Sequence, residues 1–294
     1  MFFRILQSNK LKLIILILIL SVFACARGVR KEDQGDRFFF DRGMKFMEKK
    51  NYESAIQDFQ TVVDTGTSDI MDQAQYMLGE AHYKNEDYLT AAFEYTRVYM
   101  DFPSSEYAAE AWYKKAMCFF MESPRANLDQ ENTQLAIDEF NRFIDNFPRH
   151  ELVSEAQKKI AELREKLAYK DYRNGELYRR MKEYTAALIY YESVIKQFPK
   201  TVWIHYCRYS MGIVHVKLME NEKKKLKKLE RKENIDEDKS KEIKFNISKE
   251  YNEARELFTI VINSEAETDL KKKASEKLSD LEEYKIPNTL EAVR

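Results

Sequence analysis

The chain has 294 residues, enough for one large domain or two, and 44% of them are hydrophobic, so a continuous core can be buried. A charged fraction of 34% keeps the outer faces wet, and a formal net charge of −1 gives no global drive toward nucleic acid or an acidic membrane. Seven Gly and five Pro suit helices joined by short turns, and the three cysteines, Cys25, Cys118 and Cys207, do not form a disulfide framework.

Residues 1–24 read as a targeting segment. Arg4, Lys10 and Lys12 supply a basic start, and Leu13 to Ala24 is an apolar run of twelve, shorter than the roughly 20 residues a transmembrane helix needs. The run ends in Val22-Phe23-Ala24-Cys25, which resembles a bacterial lipobox, although Leu is usual where Val22 stands and Phe23 is bulky. The resemblance implies a diacylglycerol on Cys25 and a cut before it; ordinary secretory cleavage near Ala24, with Cys25 free, is the alternative. Acylation would anchor firmly, each buried CH₂ adding about 0.8 kcal/mol. Residues 25–35 are polar and read as a tether.

From residue 36 a repeat begins. In Tyr184 to Pro199, Tyr184, Ala187, Tyr191, Val194 and Phe198 recur at steps of three and four, one stripe of a helix that Pro199 stops. The stripe recurs at Tyr52, Ala55, Phe59 and Val62; at Tyr88, Ala91, Tyr95, Val98 and Phe102; at Thr133, Ala136, Phe140, Phe143 and Phe147; and at Tyr251, Ala254, Phe258 and Val261. An aromatic followed three residues later by Gly or Ala precedes each: Phe40/Gly43, Tyr76/Gly79, Tyr113/Ala116, Tyr172/Gly175 and Tyr209/Gly212. A small residue in mid-helix is costly unless another helix crosses closely. Each unit is therefore helix A, short turn, helix B, with a period of 36 or 37 residues where nothing is inserted, which predicts an all-α, tetratricopeptide-type helical solenoid of about five helix pairs over 36–284. Cys118 and Cys207 fall in A helices two repeats apart, beyond disulfide reach, and read as buried thiols.

The rhythm breaks three times. Eight extra residues fall in Ser123 to Thr133, SPRANLDQENT, where Pro124 ends helix A and Asn132 or Thr133 can cap helix B. A plain turn needs no Arg125, Asp129 or Gln130, so these three are candidate partner-binding residues; an Arg125–Asp129 pair closing the turn is the structural alternative. Next, HELVSEAQKKIAELREKLAYKDY carries 14 surplus residues, close to four helical turns, and predicts an extra helix near 150–168 between repeats three and four. Last, repeat five holds a charged insertion over about 222–250, with eleven Lys/Arg and seven Asp/Glu in 222–249. A solvated helical hairpin or frayed loop fits it, or a basic arm for anionic lipid or an acidic partner. The helix near 269–284 resembles a solubilising cap, and 285–294 reads as a tail.

Catalytic signatures are missing from the sequence. It has no Gly-rich phosphate loop and no G-x-S-x-G, H-E-x-x-H or C-x-x-C motif, and its four histidines do not share a face. The basic segment lacks the aromatic interleaving of a single-strand nucleic-acid reader. The expectation is a protein that is not an enzyme, with no catalytic residue, no metal, no cofactor and no nucleic-acid partner.

The repeats, the lipobox, SPRANLDQENT (123–133), AIDEFNRFIDNFP (136–148), EAQKKIAELREKLA (155–168) and YTAALIYYESVIKQFP (184–199) together resemble the BamD family, tetratricopeptide lipoproteins of the outer-membrane β-barrel assembly (BAM) machinery, in its Bacteroidota-type branch. The resemblance implies a scaffold lipid-anchored to the periplasmic face of the outer membrane. Its C-terminal repeats would bind the periplasmic domains of a BamA-type β-barrel protein, and its N-terminal repeats would receive unfolded outer-membrane protein clients. A groove lined by A helices would offer Tyr83 and Trp112, with Tyr76 and Tyr113, to an extended apolar peptide; Tyr76 and Tyr113 belong to the repeating signature and suit core positions better. The competing reading is another periplasmic tetratricopeptide adaptor, for example one coordinating cell-wall synthesis with envelope constriction.

Overall fold

The computed structural model describes residues 31–66, 69–231 and 236–283; residues 1–24, expected to be a targeting segment, Cys25, and 285–294, expected to be a tail, lie outside the described residues. Among the described residues there are eleven α-helices: α1 (Lys31–Glu48), α2 (Tyr52–Thr65), α3 (Met71–Lys84), α4 (Tyr88–Asp101), α5 (Ala108–Met121), α6 (Glu131–Asn146), α7 (Val153–Met181), α8 (Tyr184–Gln197), α9 (Trp203–Leu229), α10 (Glu237–Ile262) and α11 (Thr268–Glu282). They fall into two compact units, one of residues up to 122 with 141–152, the other of 123–140 with 153 onward.

The helix-B stripes form the core. Ala55, Phe59 and Val62; Ala91, Tyr95 and Val98; Ala187, Tyr191 and Val194; and Ala254, Phe258 and Val261 are all fully buried. The small residue of each A helix explains how they get there. A Cβ placed on Gly43 would lie 2.8 Å from the Phe59 ring, one on Gly79 2.8 Å from Tyr95, one on Gly175 2.5 Å from Tyr191, and one on Gly212 2.7 Å from Phe258. Each of these four pairs thus seats a fully buried B-helix ring on the bare backbone of its A helix.

The A–B turns repeat as closely. Lys50, Glu86 and Lys182 take left-handed backbone angles, with φ of 56°, 62° and 66°. Each is flanked by the paired hydrogen bonds of a Schellman motif, as in Asn51 N to Phe46 O and Lys50 N to Met47 O. Asn51 and Asp87 then cap the following helix by accepting from the backbone N–H of Ser54 and Thr90. The B helices α4 and α8 end where Phe102 and Phe198 donate back to Val98 and Val194, one residue before proline.

Two elements differ from the sequence expectation. The added helical length between repeats three and four is present, but it is fused with helix A of repeat four into one 29-residue helix, α7. No proline interrupts 153–181, and an insertion near four whole turns leaves Ala156, Ile160, Leu163 and Ala168 on the buried face that Gly175 continues. The charged insertion is also more than a solvated excursion. It extends α9 and α10 into a hairpin whose Leu226, Leu229, Ile243 and Ile247 are buried in the same apolar cluster as Phe258 and Leu270. Cys118 and Cys207 are buried and free, and burial pushes both thiols well above the ordinary range.

Candidate partner-binding surfaces

The 123–133 loop, which lies in the second unit, is built around Gln130. Its buried side-chain amide donates to the carbonyls of Arg125 (3.0 Å), Leu128 (3.1 Å) and Asp129 (3.1 Å), and its Oε1 accepts from Thr133 Oγ1 at 2.8 Å. Thr133 also bonds Ser123, which closes the ends of the loop on each other. Helix α7 holds the loop from outside: Lys166 Nζ reaches Ser123 Oγ at 2.8 Å, and Lys170 Nζ reaches the Leu128 carbonyl at 3.1 Å. Burial lowers the Lys166 pKa.

This corrects the expected cap. Helix α6 starts at Glu131 rather than after Asn132 or Thr133, because Asp129 Oδ1 already accepts from the Glu131 N–H at 2.9 Å. Arg125 and Asp129 do not pair with each other among the described residues, so the closure expected as the structural alternative is made by Gln130 instead. With the frame tied from below, Arg125, Asn127, Leu128 and Asp129 are left exposed. The loop therefore presents one cation, one anion and one apolar side chain on a rigid mount.

In the first unit Tyr83 and Trp112 are half-buried. Tyr83 meets Tyr88 edge-on at 5.3 Å, and Lys114 Nζ lies 5.6 Å from its ring centre. Burial first, then the nearby Cys118, Tyr88 and Glu80, push the Tyr83 hydroxyl up to about 12. Trp112 stacks on Tyr99 at 4.3 Å and meets Phe147 edge-on at 6.1 Å, and its buried Nε1–H has no hydrogen-bond partner among the described residues. Tyr76 and Tyr113 are buried, Tyr76 stacked on Tyr107 and Tyr113 set edge-on to Phe143, so both are packing residues.

The second unit holds an aromatic cluster that the sequence reading passed over. Tyr169 and Tyr172 of α7 lie against Trp203 of α9 at 4.6 and 5.1 Å, and Tyr206 joins at 5.2 Å from Trp203. All four rings are partly open to solvent. Their spacing was the available signal: 169/172 and 203/206 are aromatic pairs three apart on successive A helices, one face by helical geometry. Beside them is a cleft lined by Val202, His205, Tyr206, Glu267 and Leu270, where Tyr206 donates to Glu267 at 3.0 Å. On α4, Leu89, Phe93 and Met100 form a separate exposed apolar line.

Among the described residues no group of three or more His, Cys, Asp or Glu could hold a metal ion, and no helix is long and apolar enough to cross a membrane. Stacked helix pairs of this kind define a tetratricopeptide-type repeat protein, a class whose extended surfaces do the binding. The family model YfiO, outer membrane lipoprotein, matches residues 32–231, and the chain belongs to that family. It is 26% identical over 205 residues to the outer membrane protein assembly factor BamD of Caulobacter vibrioides, covering 67% of each chain. It is 26% identical over 164 residues to BamD of Rickettsia prowazekii, covering 55% of this chain and 65% of the relative. A solved tetratricopeptide-repeat protein of Bacteroides fragilis aligns at 14% identity with a TM-score of 0.48, over 84% of this chain and 98% of its own.

Proposed function

We propose that the chain is a non-enzymatic, lipid-anchored scaffold of outer-membrane β-barrel protein assembly. The carrying observation is the YfiO match over 32–231, which includes the whole of the 123–133 loop, together with two relatives named as assembly factors. On this reading residues 1–24 are removed, Cys25 carries the acyl chains, 25–35 is the tether, whose last five residues already belong to α1, and 36–284 is the repeat body. The protein then lies on the periplasmic face of the outer membrane.

Its partners are the periplasmic domains of a BamA-type β-barrel protein and unfolded client segments. Arg125 and Asp129 are the contact residues of the loop, and Gln130 holds them in place. Tyr83 and Trp112 offer aromatic surface to an apolar client segment. The exposed Leu128 beside Arg125 supports this assignment, because an apolar side chain on a braced loop gains by being covered.

Affinity capture from detergent-solubilised envelope, followed by mass spectrometry, tests the reading. Recovery of a large β-barrel protein with tandem periplasmic domains is expected, and an Arg125→Glu/Asp129→Lys variant that folds normally should recover less of it. Recovery of cell-wall enzymes in its place would overturn the assembly role in favour of an envelope-constriction adaptor.

A further inference from the structure

Beyond the repeat, the α9–α10 hairpin presents a basic outer surface. Between residues 222 and 249 the described residues carry ten Lys/Arg against six Asp/Glu. Four of the acids gather at the tip: Glu230 at the end of α9, and Asp236, Glu237 and Asp238 at the start of α10, where these three complement the helix dipole. Behind the tip, cations dominate. On α9, Lys217, Asn221, Lys224 and Lys228 follow at steps of four and three along one exposed line, and Arg231 lies just past its end. On α10, Lys241, Phe245 and Lys249 follow at steps of four, and Phe245 is 62% exposed. Lys225 pairs with Glu222 and Lys241 with Asp238, whereas Lys224, Lys227, Lys228 and Lys249 enter no ion pair among the described residues.

The apolar seam of Leu226, Leu229, Ile243 and Ile247 is already used inside the hairpin, so Phe245 is not a core residue left uncovered by chance of register. It stands on the opposite, solvent-facing line, between two lysines. A phenyl ring between long cationic side chains on the outside of a helix is the arrangement of interfacial helices: the ring enters the boundary between headgroups and acyl chains, and the lysines reach phosphate.

We propose that the α9–α10 hairpin docks on an anionic phospholipid surface, with Lys241 and Lys249 against phosphate headgroups and Phe245 in the interface. A bilayer suits these residues better than an acidic protein does. The contact is a convex line with one large apolar ring, and its spread charge matches a layer of headgroups that can rearrange beneath it. The inference takes only its setting, a membrane within reach, from the anchored scaffold proposed above.

The test uses the chain from residue 26 on, which lacks leader and acyl group but keeps every described helix, and vesicles of phosphatidylglycerol with phosphatidylethanolamine. The chain should float with these vesicles and not with phosphatidylcholine alone. It should be released in about 1 M salt, where screening shortens to about 3 Å. Lys241→Glu/Lys249→Glu should weaken binding by at least about tenfold at unchanged melting temperature. In a Phe245→Trp variant, emission should shift to the blue on anionic vesicles, read as the difference from a parent that carries Trp112 and Trp203. Absence of binding to anionic vesicles, equal binding to phosphatidylcholine, or full binding by the charge-reversed variant would overturn the proposal. An unshifted spectrum on bound vesicles would overturn the role of Phe245. Because purified lipid is the only probe, failure here is separate from any failure of the capture experiment.

Discussion

The Tyr191 hydroxyl donates to Glu176 Oε1 at 2.7 Å, while the ring of the same tyrosine covers Gly175, the residue next to Glu176. Glu176 also accepts from Ser210 at 2.8 Å and from Arg179 at 3.0 and 2.6 Å, so one carboxylate ties α7, α8 and α9 together. The first unit repeats the device: Glu80, next to Gly79, accepts from Tyr95 and from Lys114, both at 2.6 Å, and ties α3, α4 and α5. Where the B-helix ring is phenylalanine, as in Phe59 and Phe258, the residue after the glycine is Met44 or Ile213. A ring without a hydroxyl needs no acceptor.

Removing that acceptor should cost both stability and its pH dependence. Glu176→Gln is expected to lower stability at neutral pH by about 1–3 kcal/mol, because Arg179, Tyr191 and Ser210 lose a charged acceptor. Burial alone raises the Glu176 pKa, but the hydrogen bonds from Arg179, Tyr191 and Ser210 outweigh it and leave the carboxyl below its usual 4.5. A depressed carboxyl contributes stability that is complete above the unfolded-chain value and is lost as pH falls through the folded one. Denaturant unfolding should therefore show a steeper loss between about pH 5 and 3 in the parent than in Glu176→Gln; parallel curves would refute the coupling.

The close helix crossing should be visible in glycine substitutions. Gly175→Ala puts a methyl where the Tyr191 ring already lies and should cost about 1–3 kcal/mol by overpacking. Gly35→Ala meets nothing within 4 Å and should be neutral or slightly stabilising, as helix propensity favours Ala. Chemical denaturation midpoints of the two variants decide it.

For the loop, mounting and presentation are separable. Gln130→Ala removes an amide whose two hydrogens are shared among three carbonyls, and one accepted hydrogen bond, from a buried position and should lower stability by about 1–3 kcal/mol. Arg125→Ala changes an exposed side chain and should shift stability by less than about 0.5 kcal/mol. Thermal melts of both, run beside the capture assay, show whether Arg125 acts in binding alone.

Within the hairpin, Ile247→Ala empties a buried site in the cluster shared with Phe258 and should cost about 2–4 kcal/mol. A melting curve unchanged from the parent would mean that the hairpin does not share the core of repeat five.

Cys25→Ser tests the anchor. Loss of the acyl chains should move the protein from the outer-membrane pellet to the soluble periplasmic fraction, since the remaining attachment is by surface contact. Retention in the pellet through a high-salt wash would remove the lipid anchor from the proposal.

How much could be read without coordinates is clear from individual residues. The steps of three and four at Ala187, Tyr191 and Val194, with Pro199 after them, are local physics: helical periodicity and a residue that cannot continue a helix. They are enough for the all-α repeat and the buried face of each B helix. The glycine in mid-helix at Gly175 likewise implied a close A–B crossing, which the Tyr191 ring makes. The pairing of Gly-Glu with a B-helix tyrosine was also written in the chain, but its meaning depends on a hydroxyl and a carboxylate 15 residues apart meeting in space.

Other features needed the tertiary structure. Whether 14 extra residues form a separate helix or extend α7 depends on both halves burying one continuous face. Whether Gln130 faces a partner or its own loop depends on three carbonyls that converge only after the chain has turned. Whether the 222–250 segment is solvated or cored depends on α9 and α10 meeting along Leu226, Leu229, Ile243 and Ile247. Local propensity speaks for the backbone state of a residue; it does not say which face finds a partner helix, nor how an irregular loop folds back on its own side chain, and those contacts decided these three outcomes.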